Sequence, residues 1–233
     1  MVASDTWLNE DILNVDVVSA EPYKQLDVEA LPPDRIGYLE SWDEPNDDFT
    51  HHDIFRLPNG NYLGITETVQ NGPVPNGPWT PICYALYGTT LCDGITEFFP
   101  LHGDKLIEWD AETQEVVWEW NTFDHFNMND YDDIGGSWQE GLGQERYDWT
   151  HVNALWFSEE ESAIYISVRH LSRIVKIDYP SGEIIWTMGL EMPSGDVDFG
   201  QDILFSWQHS LQILDNGNLL TLDLSLIHIS EPT

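Results

Sequence analysis

Apolar and polar positions along this chain alternate in short runs, and the runs recur. "HDIFRLPNGNYL" (52–63) and "HSLQILDNGNLL" (209–220) align without a gap, with His first, Asn-Gly-Asn from the eighth position and Leu at the twelfth. "HVNALWFSEEESAIYI" (151–166) is the same unit with a longer turn. A second element also repeats: "LIEWDAETQEVVW" (106–118) matches "IVKIDYPSGEIIW" (174–186), with Asp and Trp eight apart in each. Period-2 alternation around an Asn-Gly turn predicts a β-hairpin. "KLIEWD" and "EVVWEW" flank "AETQ", and "RIVKID" and "EIIWTM" flank "YPSG", so each unit reads as four short strands. Helical periodicity is nearly absent.

Repeated units of four short strands predict an all-β fold, specifically a β-propeller. About two and a half blades are present: 51–121, 150–189 and the first half of another at 207–223. Segments 68–95 and 122–149 are Gly-, Pro-, Asn-, Asp- and Trp-rich insertions, the composition of functional loops. The partial propeller is expected over 36–223, after an unassigned N-terminal segment, 1–35; "GYLESWD" (37–43), ahead of the first repeat, suits the close of an earlier blade. The chain finishes "LSLIHISEPT" (224–233), which reads as a translated sequencing-adapter scar, and His228 is set aside with it. So few blades do not close a ring, so the chain is expected to be a piece of a longer propeller.

Composition narrows the partners. The 233 residues include 11 Trp, 9 Tyr and 9 Phe, enough for a sizeable core. With 42 acidic against 8 basic residues the net charge is −34, which repels nucleic acid and anionic membranes. Such acidity suits a protein kept soluble in high salt or in a calcium-rich medium. No run reaches the length of a membrane-spanning helix, and the start lacks the pattern of a signal peptide. Cys83 and Cys92, nine apart, fit either a local disulfide or two free thiols, and are too few for a zinc site.

The candidate chemistry lies in the repeats. His52, His151 and His209 occupy the same repeat position in a chain with only 8 His, and equivalent positions of successive blades converge on a propeller's axis. A buried packing role is the competing reading. Trp149 and Trp207 each precede one of these histidines by two residues and are candidates to line an aromatic site, with core packing equally open. Trp109, Trp118, Trp120 and Trp186 read as blade packing. Asp130, Asp132 and Asp133 lack EF-hand spacing and read as a solvated acidic loop. No P-loop, dinucleotide-binding fingerprint or nucleophile elbow is present.

"HHDIFRLPNGNYL", "DWTHVNALWF", "ISVRHLSRIVKIDYPSGEIIWTMG" and "QHSLQILDNGN", spread from about Thr50 to Asp223, resemble the bacterial arylsulfate sulfotransferases. The most specific part is "DWTHVN" followed by "SVRHLS", with 18 residues from His151 to Arg169. The resemblance implies a six-bladed propeller that moves a sulfuryl group from an aryl sulfate to a phenol without a nucleotide, cofactor or metal. It implies that His209 is the nucleophile that becomes a sulfohistidine, with His151, Arg169 and His52 beside it, and His51 as a substitute for His52 if the register slips. Small aryl sulfates and phenols are then the partners, with no nucleic acid and no membrane insertion. It also implies a periplasmic or extracellular location, and that the piece alone, without a closed ring, is inactive.

Neutral imidazole is a competent nucleophile near pH 7, and an arginine fork matches the oxygens of a sulfuryl group. His52 and His151 are both candidates to protonate the leaving phenolate. Two other classes remain open. A quinone-cofactor propeller shares the "IDYPSGEIIW" type of repeat but needs basic residues that are scarce here. A non-catalytic binding platform would tolerate loss of all three histidines; "SWD" and "EWD" are similar to WD repeats, without their Gly-His partner.

Overall fold

The computed structural model describes residues 50–113, 115–131, 137–195, 197–199, 205–214 and 216–224. The N-terminal segment and all of the tail except Leu224 lie outside them, as do Asp132 and Asp133. The fold is all-β. Strands β1 (Thr50–Arg56), β2 (Tyr62–Gly72), β3 (Phe99–Trp109) and β4 (Val116–Asn121) form an antiparallel meander. A second meander follows in β6 (Val152–Ser158), β7 (Ala163–Val168), β8 (Arg173–Asp178) and β9 (Ile184–Gly189). A two-stranded hairpin, β10 (His209–Ile213) and β11 (Leu219–Leu222), completes the order, and the short β5 (Tyr147–Asp148) runs parallel to β3. No closed ring is present among the described residues.

The repeated sequence folds the same way twice. The Leu57 amide donates to the Asn61 carbonyl and the Leu214 amide to the Asn218 carbonyl, both at 2.8 Å. Gly60 (φ 92°) and Gly217 (φ 80°) take the left-handed turn position that Gly occupies without steric cost. In the first hairpin the Asn59 and Asn61 amides both donate to buried Glu108, at 3.0 and 2.7 Å, and the Tyr179 hydroxyl of the second meander donates to the same carboxylate. The Asn-Gly-Asn signature therefore fixes a turn and joins two sheets. Trp118 and Trp120 of β4 donate their indoles to the Pro180 and Gly182 carbonyls in the β8–β9 turn, at 2.8 and 2.9 Å. Leu63, Ile65, Leu106, Trp120, Val152, Leu155, Ile166 and Val175 form one core across both meanders.

The insertions differ from the expected loops. β2 and β3 run on as a long ribbon to Gly72 and Phe99, so the first insertion lies at 73–98 and is displaced from the expected 68–95. It holds helix α1 (Thr80–Tyr87), which carries Pro81 in its first turn and is clasped by a Cys83–Cys92 disulfide. The second holds α2 (Thr122–His125) and α3 (Ser137–Gln144). These helices are too short to leave a readable period in sequence. No described helix is long and apolar enough to cross a membrane.

Asp130 is a correction to the solvated-loop expectation. It is fully buried and pairs with Arg173, itself 1% exposed, at 3.2 Å. It also accepts the Ser194 amide (2.9 Å) and hydroxyl (2.7 Å). A buried charge is tolerated only when paired and hydrogen-bonded in this way, and removing one partner of such a pair typically costs about 3–5 kcal/mol.

Candidate functional site

Each repeat bends its first strand beside the aligned histidine. The pairing slips between His51 and Ile54, between Val152 and Ala154, and between His209 and Leu211. His52 (φ 60°) and His151 (φ 50°) both adopt the left-handed backbone that costs a branched-off side chain energy; in the third repeat Trp207 (φ 55°) and Ser210 (φ 61°) adopt it instead. Such bulges re-aim side chains, and these turn imidazoles out of the ladder toward one another.

The rings of His52 and His151 lie 5.0 Å apart, His151 and His170 4.7 Å apart, and His170 and Trp207 5.7 Å apart. His51 packs edge-on to His52 at 5.0 Å, but its Nε2 pairs with buried Asp104 at 3.2 Å. The bulge thus brings both consecutive histidines to the cluster: His51 is tied back to the core, and His52 meets His151. His209 is close enough to His52 to disfavour its protonation. Its Nδ1–H donates to the Trp207 carbonyl at 2.9 Å, which makes Nε2 the basic nitrogen of the neutral ring.

Arg169 and His170 form the turn after β7, and their amides donate to the His151 and Thr150 carbonyls at 3.2 and 3.1 Å. The Arg169 guanidinium lies 4.6 Å from the centre of the Trp207 ring. Its Nη1–H donates to His170 Nε2 at 2.8 Å, and His170 Nδ1–H donates to the Asp148 carbonyl at 2.5 Å. The Asp148 carboxylate accepts His151 Nδ1–H at 2.5 Å. His151 Nε2 and Trp207 Nε1 are buried with no hydrogen-bond partner among the described residues. Buried polar atoms are nearly always satisfied, so both atoms are available to a polar partner.

The electrostatics separate the histidines. Burial, with His51 and His151 nearby, pushes His52 down to about 2, so it stays neutral. Burial also lowers His170, to about 4, with the charges of His151 and Arg169 adding to it. For His151 burial works downward too, but the Asp148 carboxylate outweighs it and raises the pKa above its ordinary value. Asp148 is pulled well below the usual carboxylate range: desolvation opposes this, and the interactions with His151, which also donates a hydrogen bond to it, with His170 and with Arg169 prevail.

Asp148, His151 and His170 each offer a metal-ligating atom, all within 4.8 Å of one another. Two nitrogen or oxygen ligands of one zinc-sized ion sit about 3 Å or more apart. The 2.5 Å His151–Asp148 contact is instead a direct, charge-assisted hydrogen bond.

The two tryptophans part company. Trp207 lines the cluster. Trp149 is fully buried, stacks on Phe123 at 5.1 Å and donates its indole to the Asp130 carbonyl at 3.0 Å, which places it in the core. Asp148, His170 and Asp104 belong to the neighbourhood and were not singled out from sequence, although Asp148 and His170 sit inside the motifs "DWTH" and "SVRH".

A crystal structure of a protein of unknown function from Bacteroides caccae aligns at 11% identity and a TM-score of 0.31, over 72% of this chain and 36% of that one. The chain thus spans about a third of that structure's length. No curated protein matches. The sequence model of the Arylsulfotransferase (ASST) family matches residues 96–226, more than half of the chain. That stretch contains His151, Arg169, His170, Trp207 and His209, whereas His52 precedes it and joins the cluster through the bulge in β1. With its most specific motifs inside the matched stretch, the chain belongs to the arylsulfotransferase family.

Proposed function

We propose that this chain carries the sulfuryl-transfer site of a nucleotide-independent arylsulfate sulfotransferase, and that its sheets are successive blades of a six-bladed propeller. The observation that carries the reading is the meeting of His52 of one repeat with His151 of the next, whose carbonyl accepts the Arg169 amide, while the Asn153 side chain donates to the carbonyl of Gln208, next to His209 of a third repeat. The Cys83–Cys92 disulfide fits an oxidising compartment.

The chemistry balances within these residues. Nε2 of neutral His209 attacks the sulfur of an aryl sulfate; the N–S bond forms and the S–O(aryl) bond breaks. The transition state is expected to be loose, with charge on the sulfuryl oxygens, as in phosphoryl transfer. Arg169 is always charged and offers its planar fork to those oxygens, and the Trp207 indole N–H is a further donor beside it. His151, kept in the charged form by Asp148, gives its Nε2 proton to the leaving phenolate. In the second half-reaction the acceptor phenol returns a proton to His151, its oxygen takes the sulfuryl group, and the N–S electron pair goes back to His209. His52 is held neutral, so of the two histidines weighed as the acid His151 is the better suited.

The test is to incubate the full-length protein with nitrophenyl sulfate, with and without a phenol, following nitrophenol release and intact mass. Acceptor-dependent release, with one sulfuryl adduct that disappears in His209→Ala, is expected. No release and no adduct across several aryl sulfates, from folded protein, would turn the reading to a non-catalytic binding platform.

A further inference from the structure

We propose that Asp148 is the positioning residue of this site: its carboxylate holds His151, and its main-chain carbonyl holds His170, which in turn sets Arg169. One residue would then orient both cationic arms that meet the sulfuryl group and the leaving phenol. The inference rests on the sulfuryl-transfer reading for its chemistry, and on geometry alone for the positioning.

The backbone of Asp148 is fixed first. β5 pairs with β3, placing Asp148 opposite His102, and the next amide, of Trp149, donates to the His102 carbonyl at 2.8 Å. From this anchor the carboxylate reaches His151 Nδ1 at 2.5 Å, with His170 Nδ1 3.7 Å from the same oxygen. His151 must therefore carry a proton on Nδ1, which directs Nε2 away from the carboxylate and makes it the atom that exchanges a proton with substrate. His170, whose Nδ1–H is committed to the Asp148 carbonyl, presents the Nε2 lone pair to Arg169 Nη1–H. Arg169 is held from the other side by Trp207, whose amide donates to Ser172 Oγ at 3.1 Å. The result is a chain from Asp148 through His170 to Arg169 and Trp207, beside a direct Asp148–His151 pair.

The groups facing His151 are Asp148, Asp104, Arg169, His52 and His170. Among the described residues, Asp148 is the anion hydrogen-bonded to its ring. With 51% of its own side chain exposed, it contributes little to core packing and its replacement removes chiefly the charge. A general acid is needed most when the leaving group is poor, and is typically worth roughly 100–10,000-fold.

The experiment is Asp148→Asn in the full-length protein, read in two ways. In histidine-labelled protein followed by NMR, the His151 midpoint is expected to move to lower pH; an unchanged midpoint overturns the pairing. In single-turnover sulfuryl capture, the rate with unsubstituted phenyl sulfate is expected to fall about 100-fold or more, and with nitrophenyl sulfate about tenfold or less. Equal losses with both donors, or no loss, would overturn the assignment. If Asp148→Asn does not fold, the His170 arm carries the test. His170→Gln keeps an acceptor for Arg169 and should retain more kcat than His170→Phe, and equal rates for the two overturn the proposal. If wild-type protein leaves every aryl sulfate intact, the sulfuryl-transfer reading fails, while the NMR midpoint still decides the role of Asp148.

Discussion

The carboxylate of Asp104, in β3, accepts the Val152 amide of β6 at 2.7 Å, so a buried charge of the first sheet seats the first residue of the second. The same group accepts the Thr150 hydroxyl at 2.5 Å and pairs with His51. His151 lies between Thr150 and Val152, so its position is set from both sides by Asp104.

Asp104→Ala strands two buried donors. It should cost about 2–4 kcal/mol in urea unfolding, with a smaller loss for Asp104→Asn, which retains an acceptor oxygen. Because about 1 Å of misplacement can cost roughly 100-fold in rate, nitrophenol release should suffer in Asp104→Ala even where the protein remains folded. Normal kcat in a destabilised but folded Asp104→Ala would separate this anchor from the site.

What the sequence made legible follows from range. β1–β2 and β10–β11 were readable because strand alternation and an Asn-Gly turn are local signals. The meeting of His52 and His151 was readable because repeats convert sequence register into spatial register. The Asp104–Val152 bond joins residues 48 apart in sequence, and Arg173–Asp130 joins residues 43 apart. Neither aspartate carries a local mark that separates it from the many acidic residues of this chain. Helices α1, α2 and α3 were hidden because none exceeds about two turns. Asp148 stood three residues before His151 in plain view; only the fold sets its carboxylate on Nδ1.

Trp149 and Trp207 occupy the same place relative to their histidines and should respond differently. Trp149→Phe removes the donor to the Asp130 carbonyl and part of a packed ring, so stability should fall by about 1–3 kcal/mol with KM for the phenol acceptor unchanged. Trp207→Phe weakens the surface under Arg169, an interaction worth about 0.5–2 kcal/mol, and removes an indole N–H from the site. It should lower kcat/KM by about 2–30-fold with little loss of stability. The reverse pattern would place the acceptor on the other face.

The pH dependence of stability should carry the signature of His170. Its folded pKa, about 4, lies below its ordinary 6.5 because it is buried and faces His151 and Arg169. As pH falls below 6.5 the unfolded chain takes up that proton before the folded one does. The stabilising share of neutral His170 is therefore intact above pH 6.5 and is lost progressively as pH falls through about 4. The slope is about 1.4 kcal/mol per pH unit for one proton. His52, held down to about 2 by burial and its neighbouring histidines, adds in the same direction. His151 has the opposite sign: its raised pKa makes the Asp148 pair stabilising at low pH, and that share is lost as pH rises through its folded value. In His170→Asn the protein should be weaker at pH 7, having lost two hydrogen bonds, yet its stability should fall less steeply between pH 6.5 and 4. Urea unfolding at several pH values in that window reads the difference as about one proton. An unchanged slope would mean that His170 titrates normally and that Arg169 does not lie against its ring in solution.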